Sequence, residues 1–339
     1  MTLDPALVAR APVGLLPVTC FLAALLALDS YKLVRLRTVV GIIALGGVAA
    51  GASYLANIVA LGTLQLELQS YSRYVAPVIE ELLKGSLIVV LLRANRIGFL
   101  VDAAIFGFAV GTGFAMVENL YYLQLMPDAH IAVWIVRGFG TAIMHGGATA
   151  IFSISALALA ERRGQADLPA FLPGLAVAIV LHSAFNHFFL SPIMSTIGIL
   201  VVLPPLIVLV FQQSERAVEA WLGVGFDADT ELLELINSGQ FSNSPVGDYL
   251  HELKEKFRGE VVADLVCYLR LHVELALRAK GVLMMREGGF EVEVDAATRA
   301  KFEELRYLER SVGATALLAI KPFLHMSRKD LWQLYMLGR

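Results

Sequence analysis

Seven runs of apolar residues, near 11–30, 38–61, 72–92, 99–123, 131–160, 168–190 and 192–211, are long enough to cross the hydrocarbon core of a bilayer. In lipid the backbone must satisfy its own N–H and C=O groups, which restricts a crossing segment to a helix or a closed barrel strand. Continuous runs of this length suit only the helix. The expected fold class is therefore all-α: a polytopic membrane protein with about seven transmembrane helices. Composition agrees, since 57% of the 339 residues are hydrophobic and 17% are charged, where a soluble chain carries about 25% charge. A net charge of -3 offers no basic surface, so no nucleic acid is expected as a partner. Cys20 and Cys267 lie far apart in unlike surroundings and imply no disulfide framework. The first apolar run lacks the basic flank and small-residue cleavage site of a signal peptide.

Basic residues in short loops orient such a protein. Lys32, Arg35 and Arg37 fall in the first loop, Arg93 and Arg96 in the third, Arg162 and Arg163 in the fifth. The even loops hold only Arg73. This alternation predicts a multi-pass protein of the cell (inner) membrane, with its N-terminus outside and its C-terminus in the cytoplasm. After Phe211 the chain becomes charged with helical spacing, so residues 1–212 read as a membrane domain and 213–339 as a cytoplasmic helical domain. Its signals are Ser244 before Pro245, Gly281 as a helix stop, and Ser327 with Asp330 as a capping box. That domain is the element available for self-association or for a cytoplasmic partner.

Within the spans, "RYVAPVIEELLKGSLIVVLL" sets Glu80, Glu81 and Lys84 among residues that suit lipid. Each charge there costs about 2.5–3.5 kcal/mol on insertion scales, so it calls for a partner or a task. The fourth run adds Asp102, Glu118 and Asn119, the fifth Arg137 and His145, the sixth His182, Asn186 and His187. At about 1.5 Å per residue, Glu80 lies roughly 9–12 Å, Glu118 about 8 Å and His182 about 12 Å from the outer ends of their helices. Carboxylates and imidazoles from four helices thus converge on one layer in the outer half of the membrane. Asp102, near the cytoplasmic end, is the exception. Glu80 and Lys84, four apart, are expected on one helix face. Ala103, Gly107 and Gly111 form a small-residue stripe that lets a neighbouring helix approach closely. Three carboxylates against Lys84 and Arg137 leave an acidic excess, which a divalent cation or protonation of one Glu would relieve. Two His and one carboxylate are the protein ligands of a catalytic zinc.

At these residues the sequence resembles the PrsW family of intramembrane proteases, in the superfamily that also holds CAAX prenyl endopeptidases and bacteriocin-immunity-like proteins. The matching elements, in order, are "APVIEELLKG", "DAAIFGFAVGTGFAMVENLYY", "VRGFGTAIMHGGATAIF" and "LHSAFN", over residues about 70–190. The CAAX branch has His where Glu118 stands and Arg where Gly85 follows Lys84, and both departures place the chain on the PrsW side. The resemblance implies a divalent metal, zinc by its donor set, and a membrane-spanning protein substrate cut near the extracytoplasmic face, as in site-1 cleavage of an anti-sigma factor. By matched motif, Glu80 and Glu81 would be the catalytic carboxylates. Glu118, His145 and His182 would be the metal residues. Lys84 would orient a carboxylate, and Arg137 or Asn186 would stabilise the oxyanion. The C-terminal domain lies outside the resemblance.

Two readings of other classes compete. Buried Glu and His also relay protons in transporters, although inverted repeats or paired broken helices are not evident. The membrane part could instead be a catalytically silent scaffold for the C-terminal domain. A serine mechanism through Ser53 and His182 would leave Glu80, Glu81, Glu118 and His145 without roles.

Overall fold

The computed structural model describes residues 5–31, 33–238, 244–290, 292 and 295–320, without the side chains of 5–9, 223–228 and 245–246. Lys32, Ser327 and Asp330 lie outside the described residues, among which there is no strand. The order is α1 (Pro5–Leu28), α2 (Leu36–Leu64), a single turn α3 (Leu68–Ser70), a π-helical turn (Tyr71–Val75) and α4 (Ala76–Arg93). Then come α5 (Leu100–Leu125), α6 (Ile131–Ile135), a second π-helical segment (Val136–Thr141), α7 (Ala142–Arg163), α8 (Leu168–His187) and α9 (Pro192–Asn237). The chain forms two compact units, 1–214 and 215–339.

Six helical stretches are long and apolar enough to cross a membrane: Arg10–Leu28, Leu36–Leu64, Leu100–Leu125, Ile131–Arg163, Leu168–His187 and Pro192–Leu222. They make the protein a helical polytopic membrane protein. The third expected span is α4, which differs from these six because its 18 residues include Glu80, Glu81, Lys84 and Arg93. Glu81 and Lys84 are buried against other helices and Glu80 is partly so, while Arg93 is exposed at the helix end.

Within the first unit, α5 and the Ile131–Arg163 stretch are central: 83% and 72% of their apolar windows are buried, against 17–33% for the other four. Lipid is as apolar as a leucine side chain, so helices in a membrane adhere through close backbone approach. The expected glycine stripe does this on α5. A Cβ at Gly107 would stand 2.7 Å from the Ala150 Cα and the Thr149 carbonyl, and one at Gly111 would overlap the His145 carbonyl. A second pair, Gly46 and Gly113, brings α2 against α5 through the carbonyls of Val110 and Ile43. Conversely, Val40, Val48, Leu55 and Val59 on α2, and Val201, Val202 and Leu209 on α9, are exposed apolar residues suited to lipid. Asp102 is structural: its carboxylate accepts from the Gly98 and Phe99 N–H groups at 2.9 and 3.2 Å, capping α5.

The second unit contains α10 (Pro245–Leu253), α11 (Gly259–Glu287), α12 (Ala296–Val312) and α13 (Ala314–Ile320). Ser244 caps α10 as expected, its Oγ accepting from the Gly247 N–H at 3.1 Å. Gly281 does not stop α11, which runs on to Glu287 because Val282 and Leu283 continue the buried stripe. Lys280 and Asp229 form a buried ion pair at 2.6 Å, with Trp221 beside the ammonium.

Candidate metal centre

The centre is assembled around α4. Lys84 Nζ is wholly buried and lies 2.5 Å from Glu81 Oε1, one turn earlier on the helix. The spacing in the sequence pairs Lys84 with Glu80; the structure pairs it with Glu81, because Glu80 turns toward α2 and α8 instead. The same Glu81 oxygen receives Nδ1 of His182, from α8, at 2.8 Å. Lys84 Nζ also lies 2.9 Å from Nδ1 of His145 on α7 and 4.7 Å from the Phe114 ring centroid. One buried ammonium therefore joins three helices.

These partners dictate the tautomers. A carboxylate only accepts, so His182 donates from Nδ1 to Glu81 and keeps its Nε2 lone pair free. That lone pair faces Glu80 Oε2 at 3.8 Å. An ammonium only donates, so His145 accepts at Nδ1 and donates from Nε2 to Glu118 Oε2, 3.0 Å away. The two imidazoles stand edge to face with centroids 4.7 Å apart. Glu118 also pairs with Arg137 at 3.2 Å. Arg137 in turn stacks 3.7 Å over Tyr122 and donates from Nε to Asn119 Oδ1 at 2.9 Å. Asn119 is itself anchored on the Gly14 carbonyl of α1 at 2.7 Å.

The π-helical segment Val136–Thr141 explains how Arg137 and His145 reach one carboxylate. Eight residues apart, they would sit about 80° apart around a regular helix. A π turn accommodates one extra residue, which restores near-alignment, close to a seven-residue spacing. Nothing in the residue pattern announces that insertion.

Seven of the eight residues expected at the site are thereby linked in one network: Glu80, Glu81, Lys84, Glu118, Arg137, His145 and His182. Asn186 is bonded elsewhere, its side chain donating to the Ser72 carbonyl at 2.9 Å. His187 bonds the Ser183 carbonyl and packs on Tyr74 and Phe189. Ser53 accepts from the Asn57 amide at 3.1 Å. Asn57 and Tyr71, which the sequence reading passed over, touch Glu80 directly and at one remove. The available signal was an amide one turn beyond Ser53 in the largely apolar α2.

The residues fit a divalent metal. Ligand atoms of Glu80, His145 and His182 all lie within 4.8 Å of one another. The free His182 lone pair opposite a carboxylate oxygen is an arrangement that a cation relieves. Two imidazoles and a carboxylate, with Glu81 orienting His182 from behind, are the donor set of a catalytic metal site, which His145 would join in its other tautomer, with its Nε2 bond to Glu118 opened and Lys84 turned from Nδ1.

A polytopic helical protein with such a donor set buried among its spans belongs, by class, to the intramembrane metallohydrolases. A family model of PrsW family intramembrane metalloproteases matches residues 31–211, more than half of the chain and every site residue named above. The chain belongs to that family, which makes it a peptide hydrolase that uses a divalent metal and acts on membrane proteins. Among curated proteins and solved structures, none matches the chain.

Proposed function

We propose that the protein is a zinc endopeptidase that cuts a single-span membrane protein near the extracytoplasmic end of its span. Glu80, His145 and His182 would hold the ion. The observation that carries this reading is the meeting of their three ligand atoms within 4.8 Å, on α4, α7 and α8. The expectation had set Glu118, rather than Glu80, beside the two imidazoles. Glu118 is in contact with His145 and Arg137, and its side chain is 26% exposed against 15% for Glu80, which suits a group that must meet water and substrate.

When bound, a divalent ion in this set supplies Lewis acidity to the scissile carbonyl and to water. Glu118 takes the proton from the attacking water and returns it to the leaving amine. Arg137, fixed by Asn119 and Tyr122, orients Glu118 and brings positive charge to the developing oxyanion. Glu81 holds the His182 ring with Nε2 forward, and Lys84 neutralises Glu81 so that the buried carboxylate is tolerated. Asn186 ties α8 to the turn that precedes α4.

The alternation of basic loops supports an outer position for the site and a cytoplasmic position for residues 213–339. It favours a substrate that enters sideways from the bilayer, as an anti-sigma factor with one span would. Elemental analysis of the detergent-purified full chain tests the reading. About one equivalent of zinc is expected, lost on replacing His145 and His182 together with Ala. Retention of the metal in that double variant overturns the assignment.

A further inference from the structure

Resting on that reading, we infer that Asn57 is a positioning residue for Glu80, with the Tyr71 hydroxyl setting the orientation of its amide. Neither residue lies in the four motifs that carry the site. Tyr71 is buried, and its Oη donates to Asn57 Oδ1 at 2.7 Å. With the carbonyl end of the amide taken, Nδ2 must face the other way. There it has two partners: Ser53 Oγ at 3.1 Å and Glu80 Oε1 at 3.5 Å. Both N–H groups and the oxygen of the amide are thereby used, so a flipped amide would lose the tyrosine bond and turn an oxygen toward a carboxylate.

The consequence falls on Glu80. Its Oε1 is occupied by the amide, which leaves Oε2 as the oxygen directed at His182 Nε2, 3.8 Å away. A carboxylate that ligates a metal is held by such an outer hydrogen bond, and losing one costs about 10–100-fold in metal affinity. An amide in a lipid-embedded helix is tolerated only with partners, so this residue is a cost that the site accounts for. Tyr71 reaches α2 from the π-helical turn Tyr71–Val75, a local widening of the kind that recurs at functional sites.

Cobalt(II) substitution tests the inference on the full-length protein, through its visible ligand-field spectrum and through zinc competition. Asn57→Asp keeps the shape and the acceptor for Tyr71 but cannot donate to Glu80. Tyr71→Phe keeps the ring and frees the amide to flip. Both are expected to alter the cobalt spectrum and weaken zinc binding by about 10–100-fold. Thr63→Ala, which removes an exposed α2 hydroxyl that bonds the Val59 and Ala60 carbonyls of its own helix, is expected to leave both unchanged. A wild-type spectrum and affinity in both Asn57→Asp and Tyr71→Phe would overturn the positioning role while leaving the metal site standing. Absence of any cobalt band in the unaltered protein would instead overturn the metal reading, and this inference with it.

Discussion

Glu80 and Glu81 share a helix and a charge, yet their side chains leave α4 in different directions. Glu80 points to Asn57 and His182 Nε2; Glu81 points to Lys84 and to Nδ1 of the same imidazole. Replacing either with Gln keeps the volume and separates their roles. In Glu80→Gln the metal should be lost, because a neutral amide is a poor substitute for a ligating carboxylate. In Glu81→Gln zinc affinity should fall by about 10–100-fold, since His182 loses its charged orienting partner and Lys84 is left buried beside an amide. Glu118→Gln should keep its zinc and lose about 10²–10⁴-fold in turnover of a membrane substrate. Zinc content and cleavage measured on the three proteins check these outcomes together. A metal-free Glu118→Gln with a metal-loaded Glu80→Gln would exchange the two roles.

At the scale of elements, the site depends on how closely α5 and α7 approach. Gly111 faces the His145 carbonyl with no room for a Cβ, so any side chain there pushes α7 outward at a proposed metal ligand. Gly111→Val should destabilise the protein by about 1–3 kcal/mol, as overpacking does, and lower its zinc content. Gly41 and Gly51 of α2 have open space around them, so Ala at either should leave both properties unchanged or slightly raise stability through helix propensity. Thermal melts in detergent with parallel zinc analysis separate the cases. Equal behaviour of Gly111→Val and Gly51→Ala would count against close approach as the source of the geometry. The π-helical segment before α7 works at the same scale, turning Arg137 by the increment needed to share Glu118 with His145.

For the whole molecule, every site residue lies in the first unit, 1–214. Deleting 215–339 is therefore expected to leave zinc binding intact and to change substrate choice or oligomeric state. Cysteine accessibility measures the orientation: a probe at Asp128 should react in intact cells, and probes at Gln165 and Ser242 only after permeabilisation. Ser242 lies outside the described residues, but its side of the membrane follows from the same loop charges. Labelling of Ser242 in intact cells would reverse the orientation, and with it the extracytoplasmic cleavage.

Composition and run length by themselves determine that this chain is a helical membrane protein, because hydrocarbon permits no other arrangement of so many long apolar segments. They also expose the site's candidates: Glu80, Glu81, Lys84, Glu118, Arg137, His145 and His182 are conspicuous because charge is costly in lipid. What each touches was decided only by the tertiary structure. Helical spacing offered Lys84 to Glu80, but packing gave it to Glu81, since the partner is chosen by side-chain direction and by what neighbouring helices present. Asn186 entered by its motif, and an interhelical bond to Ser72 takes it out of the network. Asn57 and Tyr71 entered because α2 and a π-helical turn meet at Glu80, and contacts between segments so far apart leave no periodic trace along the chain.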